Sequence, residues 1–116
     1  MSAGRHDLEI EQGSDFVLNI LYQDTNDAPI DLSTYTARMQ LRESSDSSSS
    51  LIELTNTNGR ITLGQADPNI VLELTAGDTA SLDFDYAFYD LEVVSSSATV
   101  SKVLRGSVKL IREFTK

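Results

Sequence analysis

The chain has 116 residues, and its 18 acidic and 9 basic side chains give a net charge of -9 at pH 7. It contains no cysteine, no tryptophan and a single histidine. These counts exclude a disulfide framework, a thiolate zinc site, a cysteine nucleophile and a multi-histidine metal site. The acidic surplus argues against a general affinity for nucleic acid, because phosphates attract lysine and arginine. The length predicts one domain.

The N-terminus is polar over its first seven residues and has no apolar core of a secretory signal. We expect residues 1–8 to form a flexible segment ahead of a single β-sandwich domain over residues 9–116. No stretch approaches the roughly 18 uninterrupted apolar residues of a membrane span. Neither a membrane nor nucleic acid is therefore expected as a partner.

Alternation of apolar and polar residues, which is typical of half-buried strands, recurs along the chain. Between residues 16 and 22 both faces are mostly apolar, whereas from residue 35 to residue 42 the alternation is clean. Strands are predicted over residues 8–10, 16–22, 35–42, 51–55, 60–63, 70–74, 88–94 and 99–114. Strands spaced about ten residues apart, with turn residues between them, predict an antiparallel sandwich or barrel.

The turns between these strands have recognisable residues. Asn58 and Gly59 both tolerate positive φ, which predicts a tight hairpin between the fourth and fifth strands. Asp78 is placed to cap at most one short helical turn near residues 76–82. The Ser-rich stretch 43–50 predicts a mobile loop. Gly106 offers no side chain to the last strand, which indicates a bulge or a close backbone approach there.

Charge is distributed unevenly along the chain. Residues 102–116 hold five basic residues and one acid, whereas residues 1–101 hold four basic residues and seventeen acids. One interpretation is that the last strand pairs with acidic neighbours in its own sheet. The other is that it forms a basic edge that docks onto an acidic partner. For Ile111, which lies among charged neighbours, the alternatives are internal packing and an apolar contact to a partner.

Catalytic and metal-binding patterns are weak in this sequence. His6 lies in the polar N-terminal segment, without the rigid nucleophile and acid that a catalytic histidine needs. Asp83, Asp85 and Asp90 lack the dense oxygen ligands and the glycine of a calcium loop, and residues 24–27 are interpreted as a turn. No phosphate-binding glycine motif is present. We therefore expect neither enzymatic activity nor a cofactor or metal.

A resemblance to a family of small tailed-bacteriophage domains is carried by several motifs in order. Residues 13–18 give a Gly-x-Asp turn and strand, residues 28–33 contain Pro-Ile-Asp-Leu, and residues 37–42 contain Gln-x-Arg. Residues 89–93 read Tyr-Asp-Leu-Glu-Val, and residues 103–108 contain Leu-x-Gly-x-Val. This order resembles the N-terminal domain of phage upper baseplate proteins, over about residues 10–115.

The resemblance implies an all-β, antiparallel immunoglobulin-like β-sandwich of about eight strands. It also implies a structural role in the virion tail, at the baseplate, in a protein made in the host cytoplasm. The partners would be other baseplate, tail or fibre subunits, bound in several symmetric copies. Upper baseplate proteins continue into helical or fibre segments, whereas this sequence stops at Lys116, so a freestanding adaptor is expected.

Two sets of residues follow from this interpretation. In the shared motifs, Pro29 would fix a turn, Asp31 would cap the amide of Ser33 or Thr34, and Tyr89 would pack inward with its hydroxyl bonded. Gly106 completes this structural set. The candidates for protein contact are residues of the last strand: Lys102, Arg105, Lys109, Ile111, Arg112 and Phe114.

Three rival functions stay open at this point. A capsid decoration or head–tail connection protein has similar small acidic β-architecture. A carbohydrate-binding module on the virion surface would need exposed aromatic residues, for which Tyr86 and Phe88 are candidates. An enzyme using His6 and Asp83 is the weakest of the three.

Overall fold

The computed structural model of the chain describes residues 4–43 and 51–112. Within them lie nine strands and one short helix, α1, over Ala76–Ala80. The first three strands are β1 (Gly4–Arg5), β2 (Leu8–Glu11) and β3 (Phe16–Ile20). The others are β4 (Thr36–Arg42), β5 (Ile52–Thr55), β6 (Ile61–Leu63), β7 (Ile70–Leu74), β8 (Tyr86–Val94) and β9 (Val100–Ile111).

The strands form two sheets. The larger has the order β1-β9-β8-β4-β5, with β2 also paired to β9, and the smaller has the order β3-β7-β6. All pairs are antiparallel except those of β1 and β2 with β9, which are parallel. The predicted all-β architecture, its eight strands and its single helical turn are confirmed. The two-residue strand β1 was not predicted, because two residues are too few for an alternation to be visible.

The core fills the space between the two sheets. The inward residues of β4 and β8 alternate as the sequence predicted, with Met39, Leu41, Leu91 and Val93 each at most 2% exposed. Strand β7 contributes the buried face of the smaller sheet. The rest of the apolar core is Leu8, Ile10, Leu32, Ala37, Leu54, Ile61, Ile70, Leu72, Leu74, Leu82, Phe84, Ala87, Tyr89, Val103, Val108 and Leu110.

The predicted boundary after residue 8 is wrong, because the described N-terminal residues are part of the sandwich. Gly4 and Arg5 pair with β9, the His6 amide donates to the Arg105 carbonyl at 2.9 Å, and Leu8 is buried. Since β1 and β2 run beside β9, the last strand has neighbours on both sides between residues 104 and 109. It is therefore not an edge strand over that range, which contradicts the alternative of a basic edge.

The turn at Asn58 and Gly59 is not a hairpin. Strand β5 pairs with β4 in one sheet, whereas β6 pairs with β7 in the other, so residues 56–60 carry the chain across the sandwich. The Asn58 side chain holds this crossing, since its Oδ1 accepts from the amides of Thr55 (3.0 Å) and Arg60 (3.1 Å). Gly59 adopts a φ of 81°, which favours glycine. The residue pair was correctly identified as a turn, but sequence alone does not reveal which sheet the next strand joins.

Helix α1 begins with a capping box. The Thr75 hydroxyl accepts from the Asp78 amide at 3.1 Å, and the Asp78 carboxylate accepts from the Thr75 amide at 3.0 Å. Arg60 donates to the same carboxylate at 2.9 Å, and its hydrogen bond lowers the pKa of Asp78. The helix is thus fixed at its start and tied to the chain crossing.

A buried asparagine joins three segments at the other end of the smaller sheet. Asn69 is fully buried, and its Oδ1 accepts from the Tyr22 amide at 2.7 Å. Its Nδ2 donates to the carbonyls of Tyr22 and Ile30, each at 2.8 Å. The single side chain therefore fixes the loop that follows β3 against the start of β7.

Candidate protein-interaction surface

The predicted contact residues of β9 lie on the solvent-facing side of the larger sheet, here called the outer face. Six of the nine basic residues of the chain lie on β1, β4 and β9 of this sheet. They are Arg5, Arg38, Arg42, Lys102, Arg105 and Lys109. In a chain with a net charge of -9, basic charge is thus concentrated on one sheet.

Lys102 is engaged within its own sheet. Its Nζ lies 2.5 Å from Glu92 and 3.3 Å from Asp90. Arg38 pairs with the same Glu92 carboxylate from the other side. Burial acts to raise the pKa of Glu92, but the hydrogen bonds from Lys102 and Arg38 outweigh it and lower that pKa. For Lys102, pairing within the sheet is the interpretation that the contacts support.

Glu92 is more buried than the sequence predicted. Alternation put Asp90 and Glu92 together on the solvent side, yet Glu92 is only 5% exposed. The two basic side chains above it cover the carboxylate, and a register shift in the pairing of β8 with β9 falls between Leu91 and Glu92. The period of two correctly gives the face, but not how much of that face neighbouring side chains cover.

Arg112, just beyond β9, is also paired internally. Its guanidinium donates to Asp83 at 2.7 Å and to Asp85 at 3.2 Å, and the Asp83 hydrogen bond is the main cause of a raised pKa of Arg112. Asp83 and Asp85, which were considered and rejected as calcium ligands from the sequence, thus both contact a guanidinium group. Within residues 4–43 and 51–112, no three acidic or imidazole side chains are grouped as a metal ion would require.

Arg105 and Lys109 are exposed, and neither has an ion pair with any residue in the described part of the chain. Ile111 is half-buried and lies beside Glu11 of β2. Phe114, the last of the predicted contact residues, lies outside the described residues. The structure thus separates the predicted set into engaged cations, Lys102 and Arg112, and available ones, Arg105 and Lys109.

Two exposed aromatic residues lie beside the available cations. Tyr86 and Phe88 on β8 are 61% and 52% exposed, and their outward positions are about 7 Å apart along the strand. Tyr86 lies opposite Lys109, and Phe88 lies between Ser107 and Arg42 of the flanking strands. We call the set Tyr86, Phe88, Arg42, Arg105 and Lys109 the aromatic–basic patch. A polar cleft of about 430 Å³ adjoins it, lined by Gln40 of β4, Glu53 of β5 and Asp90 of β8.

The residues of the shared sequence motifs have structural partners. Asp31 Oδ1 accepts from the Ser33 amide at 2.9 Å, and the hydrogen bonds from Ser33 lower the pKa of Asp31. Pro29 forms an isolated bridge with Gln23. Both residues lie in the loop between β3 and β4, which Asn69 holds through Ile30.

Tyr89 and Gly106 anchor the N-terminal strands. Tyr89 packs inward, 5% exposed, and its hydroxyl donates to the His6 carbonyl at 2.5 Å. Burial raises the pKa of Tyr89 to about 12. Gly106 lies so close to His6 that a Cβ built on it would be 2.3 Å from the His6 carbonyl oxygen. Of the two explanations offered for this glycine, the geometry at Gly106 is a close backbone approach.

His6 itself contributes backbone atoms to this anchor.

The described parts of the chain contain no helix with the length and apolarity that a membrane crossing requires.

The two-sheet arrangement makes the chain an all-β protein with an immunoglobulin-like sandwich fold. No family model matches the sequence, and no curated protein matches it. Solved structures similar in fold include extracellular domains 3–5 of Drosophila OTK, with 14% identity, a TM-score of 0.43 and coverage of 90% of this chain and 32% of that one. A second is a crystal structure of ICOS in complex with ICOS-L and an anti-ICOS-L VNAR domain, with 15% identity, a TM-score of 0.46 and coverage of 96% and 56%. The chain thus spans about a third and somewhat over half of these two chains.

Replacing the buried carboxylate, Glu92→Gln, is expected to cost about 1–2 kcal/mol of unfolding free energy at pH 7, since two cations lose their shared anion. Because the pKa of Glu92 is lowered in the folded state, its contribution is complete above the ordinary value of 4.5 and is lost as the pH falls through the folded value. The deficit of the variant should therefore shrink in acid. Urea unfolding between pH 7 and pH 3 measures this.

The control for that experiment is Glu73→Gln, on an exposed position of β7. It should change the unfolding free energy by less than about 0.5 kcal/mol at any pH in the series. A Glu92→Gln deficit that stays constant down to pH 3 would contradict the assigned ion pairs.

Proposed function

We propose that the chain is a structural protein of a bacteriophage virion, a tail or baseplate component that links neighbouring tail proteins. The ordered motifs shared with upper baseplate domains, over about residues 10–115, support this assignment. The observation that supports contact with neighbouring proteins is the aromatic–basic patch. Exposed tyrosine and phenylalanine, with basic side chains on the same face, have the composition of a protein–protein contact.

Charge indicates the kind of partner. The patch includes Lys109, which lies opposite Tyr86, and Arg105, which lies opposite Asp90; neither forms an ion pair with a described residue. The chain that carries the patch is acidic as a whole. An acidic surface on a neighbouring tail subunit would therefore be attracted to this face and repelled by the rest of the molecule. Such complementarity sets docking orientation and the rate of encounter more than affinity.

Locating the protein in the particle tests the proposal. Virions of the phage that encodes the chain are separated into heads and tails, and the protein is quantified in each fraction by mass spectrometry against the purified chain. We expect the protein in the tail fraction, at a copy number per tail that is a whole multiple of the order of the tail's rotational symmetry. Recovery with the heads would favour a decoration or connector protein instead, and absence from both fractions would overturn a virion role.

A second experiment tests the patch. A phage that lacks the gene is complemented with Tyr86→Ser/Phe88→Ser, with Val100→Ser as the control because Val100 is 48% exposed at the other end of the larger sheet. We expect the double variant to be incorporated at least about tenfold less than the wild type, and the control to be incorporated normally. Equal incorporation of the double variant would remove the patch from the contact.

The same two aromatic residues favour carbohydrate binding as a second candidate function. Side chains two residues apart on one strand, both more than half exposed, present adjacent apolar rings to solvent. Sugar rings stack on such surfaces. A glycan array probed with the wild type and with Tyr86→Ser/Phe88→Ser decides this: binding that the double variant loses supports it, and no binding by the wild type overturns it.

A further inference from the structure

Strand β3 forms an open edge of the smaller sheet. Its one partner among the described residues is β7, in the register that places Leu18 opposite Leu72. The Glu73 amide donates to the Arg60 carbonyl on the β6 side, so the backbone groups of Leu72 and its even-numbered neighbours face β3. Leu18 therefore bonds to β7, while the backbone groups of Val17 and Asn19 point outward to solvent.

This edge lacks the features that normally prevent strand pairing. Natural edge strands are protected by charged side chains, proline, bulges or short length. The other edges follow that pattern, since β2 carries Glu9 and Glu11, β5 carries Glu53, and β6 has three residues. Strand β3 has five uncharged residues, regular pairing with β7 and, in Val17, an apolar side chain that is 58% exposed.

The edge is also complementary to itself. Val17 and Asn19, the two residues with outward backbone groups, lie symmetrically about Leu18 at the centre of the strand. If two copies meet antiparallel with Leu18 on the two-fold axis, Val17 of each copy lies opposite Asn19 of the other. Both are then hydrogen-bonded pairs, which together form four backbone hydrogen bonds. The half-buried Phe16, Leu18 and Ile20 continue one apolar face across the junction.

We propose that β3 is the dimerisation edge of this protein, with a second copy of the chain as its occupant. The two small sheets join into one six-stranded sheet through an isologous contact. Strand β3 has no charged residue, so no like charges of the two β3 strands face each other in the pair. The two bodies, each with a net charge of -9, still repel at longer range, and added salt screens that repulsion and strengthens the dimer. This inference does not depend on a role in a virion.

Sedimentation velocity of the full chain tests the proposal. We expect a monomer–dimer equilibrium whose dissociation constant falls on going from 20 mM to 300 mM NaCl. Val17→Lys/Asn19→Lys places four like charges around the pair and should raise that constant at least about tenfold. Val100→Lys is the matched control, because Val100 is 48% exposed on the larger sheet, and it should dimerise as the wild type does.

Two results would overturn the dimer: a wild type that stays monomeric at several hundred micromolar, or a double-lysine variant that dimerises unchanged. Thermal unfolding of both lysine variants shows whether they fold. Cross-linking of single-cysteine variants, which carry no lysine substitution, measures the pairing of the two β3 strands independently.

Because the chain has no cysteine, single-cysteine variants report the register directly. A mixture of Val17→Cys and Asn19→Cys should form a disulfide between the two variants, since opposed Cα atoms are about 5.5 Å apart. Each variant alone should cross-link poorly, because its own copies are offset diagonally by about 7 Å or more. Cross-linking of either variant alone at the rate of the mixture would overturn the proposed pairing.

Discussion

Asn69→Ala is expected to lower the unfolding free energy by about 3–5 kcal/mol, the largest effect of any single substitution considered for this chain. The side chain is fully buried and makes three hydrogen bonds of 2.7–2.8 Å to backbone groups of Tyr22 and Ile30. Alanine leaves those backbone groups without partners, and each such group costs about 1–3 kcal/mol when water does not replace the bond. Chemical and thermal unfolding measure the loss, which corresponds to a drop in Tm of roughly 12 °C or more.

A second variant separates the hydrogen bonds from the volume that they occupy. Asn69→Asp keeps the shape and the acceptor for the Tyr22 amide, but places an oxygen against two carbonyls. At pH 7 it should therefore be at least as unstable as Asn69→Ala, and it should recover part of the difference in acid, where the carboxyl group can donate. Asn26→Ala, at an exposed position whose side chain has no partner among the described residues, is the control and should stay within about 0.5 kcal/mol. An Asn69→Asp variant as stable as the wild type would contradict the assignment.

The importance of Asn69 could not be predicted from the sequence. In the sequence it follows Pro68 in a turn, where asparagine is common for local reasons. Its partners lie 47 and 39 residues away, and nothing in the local pattern indicates them. Strand positions, by contrast, were predictable because burial of one face imposes a period of two on the residues themselves. Contacts between segments distant in the chain leave no such trace.

The same distinction applies to the interaction surface. Alternation placed Arg105 and Lys109 on the face opposite Leu104 and Val108, but Lys102, which has the parity of Leu104, lies on the solvent side only because of the register shift between it and Leu104. Alternation also gave no information about which cations have acidic neighbours. Register decides part of this, since Lys102 is aligned with Glu92 and Lys109 with Tyr86. Side-chain direction decides the rest, since Arg105 is aligned with Asp90, whose carboxylate pairs with Lys102 instead. The exposure of Val17 on an open edge was equally invisible, since the sequence of β3 resembles that of a strand buried on both faces. Identifying the edges of a sheet requires the order of its strands.

Gly106→Ala is expected to cost about 2–3 kcal/mol, because the new Cβ would lie 2.3 Å from the His6 carbonyl oxygen and 2.8 Å from its carbon. Both are backbone atoms, so the clash is relieved only if the N-terminal strands move away from β9. Urea unfolding measures the cost. Gly64→Ala is the control, since a Cβ there meets nothing within 4 Å, and it should change the unfolding free energy by less than about 0.5 kcal/mol.

A double-mutant cycle with Tyr89→Phe identifies what the clash displaces. Alone, Tyr89→Phe removes the hydroxyl that donates to the His6 carbonyl at 2.5 Å and should cost about 1 kcal/mol. If Gly106→Ala pushes His6 off the sheet, that hydrogen bond is already lost, and Tyr89→Phe should cost almost nothing further. The two effects are therefore expected to be less than additive by about 1 kcal/mol. Full additivity would mean that alanine is accommodated with His6 still in place, and the close approach at Gly106 would then not be what holds the N-terminal strands to the sandwich.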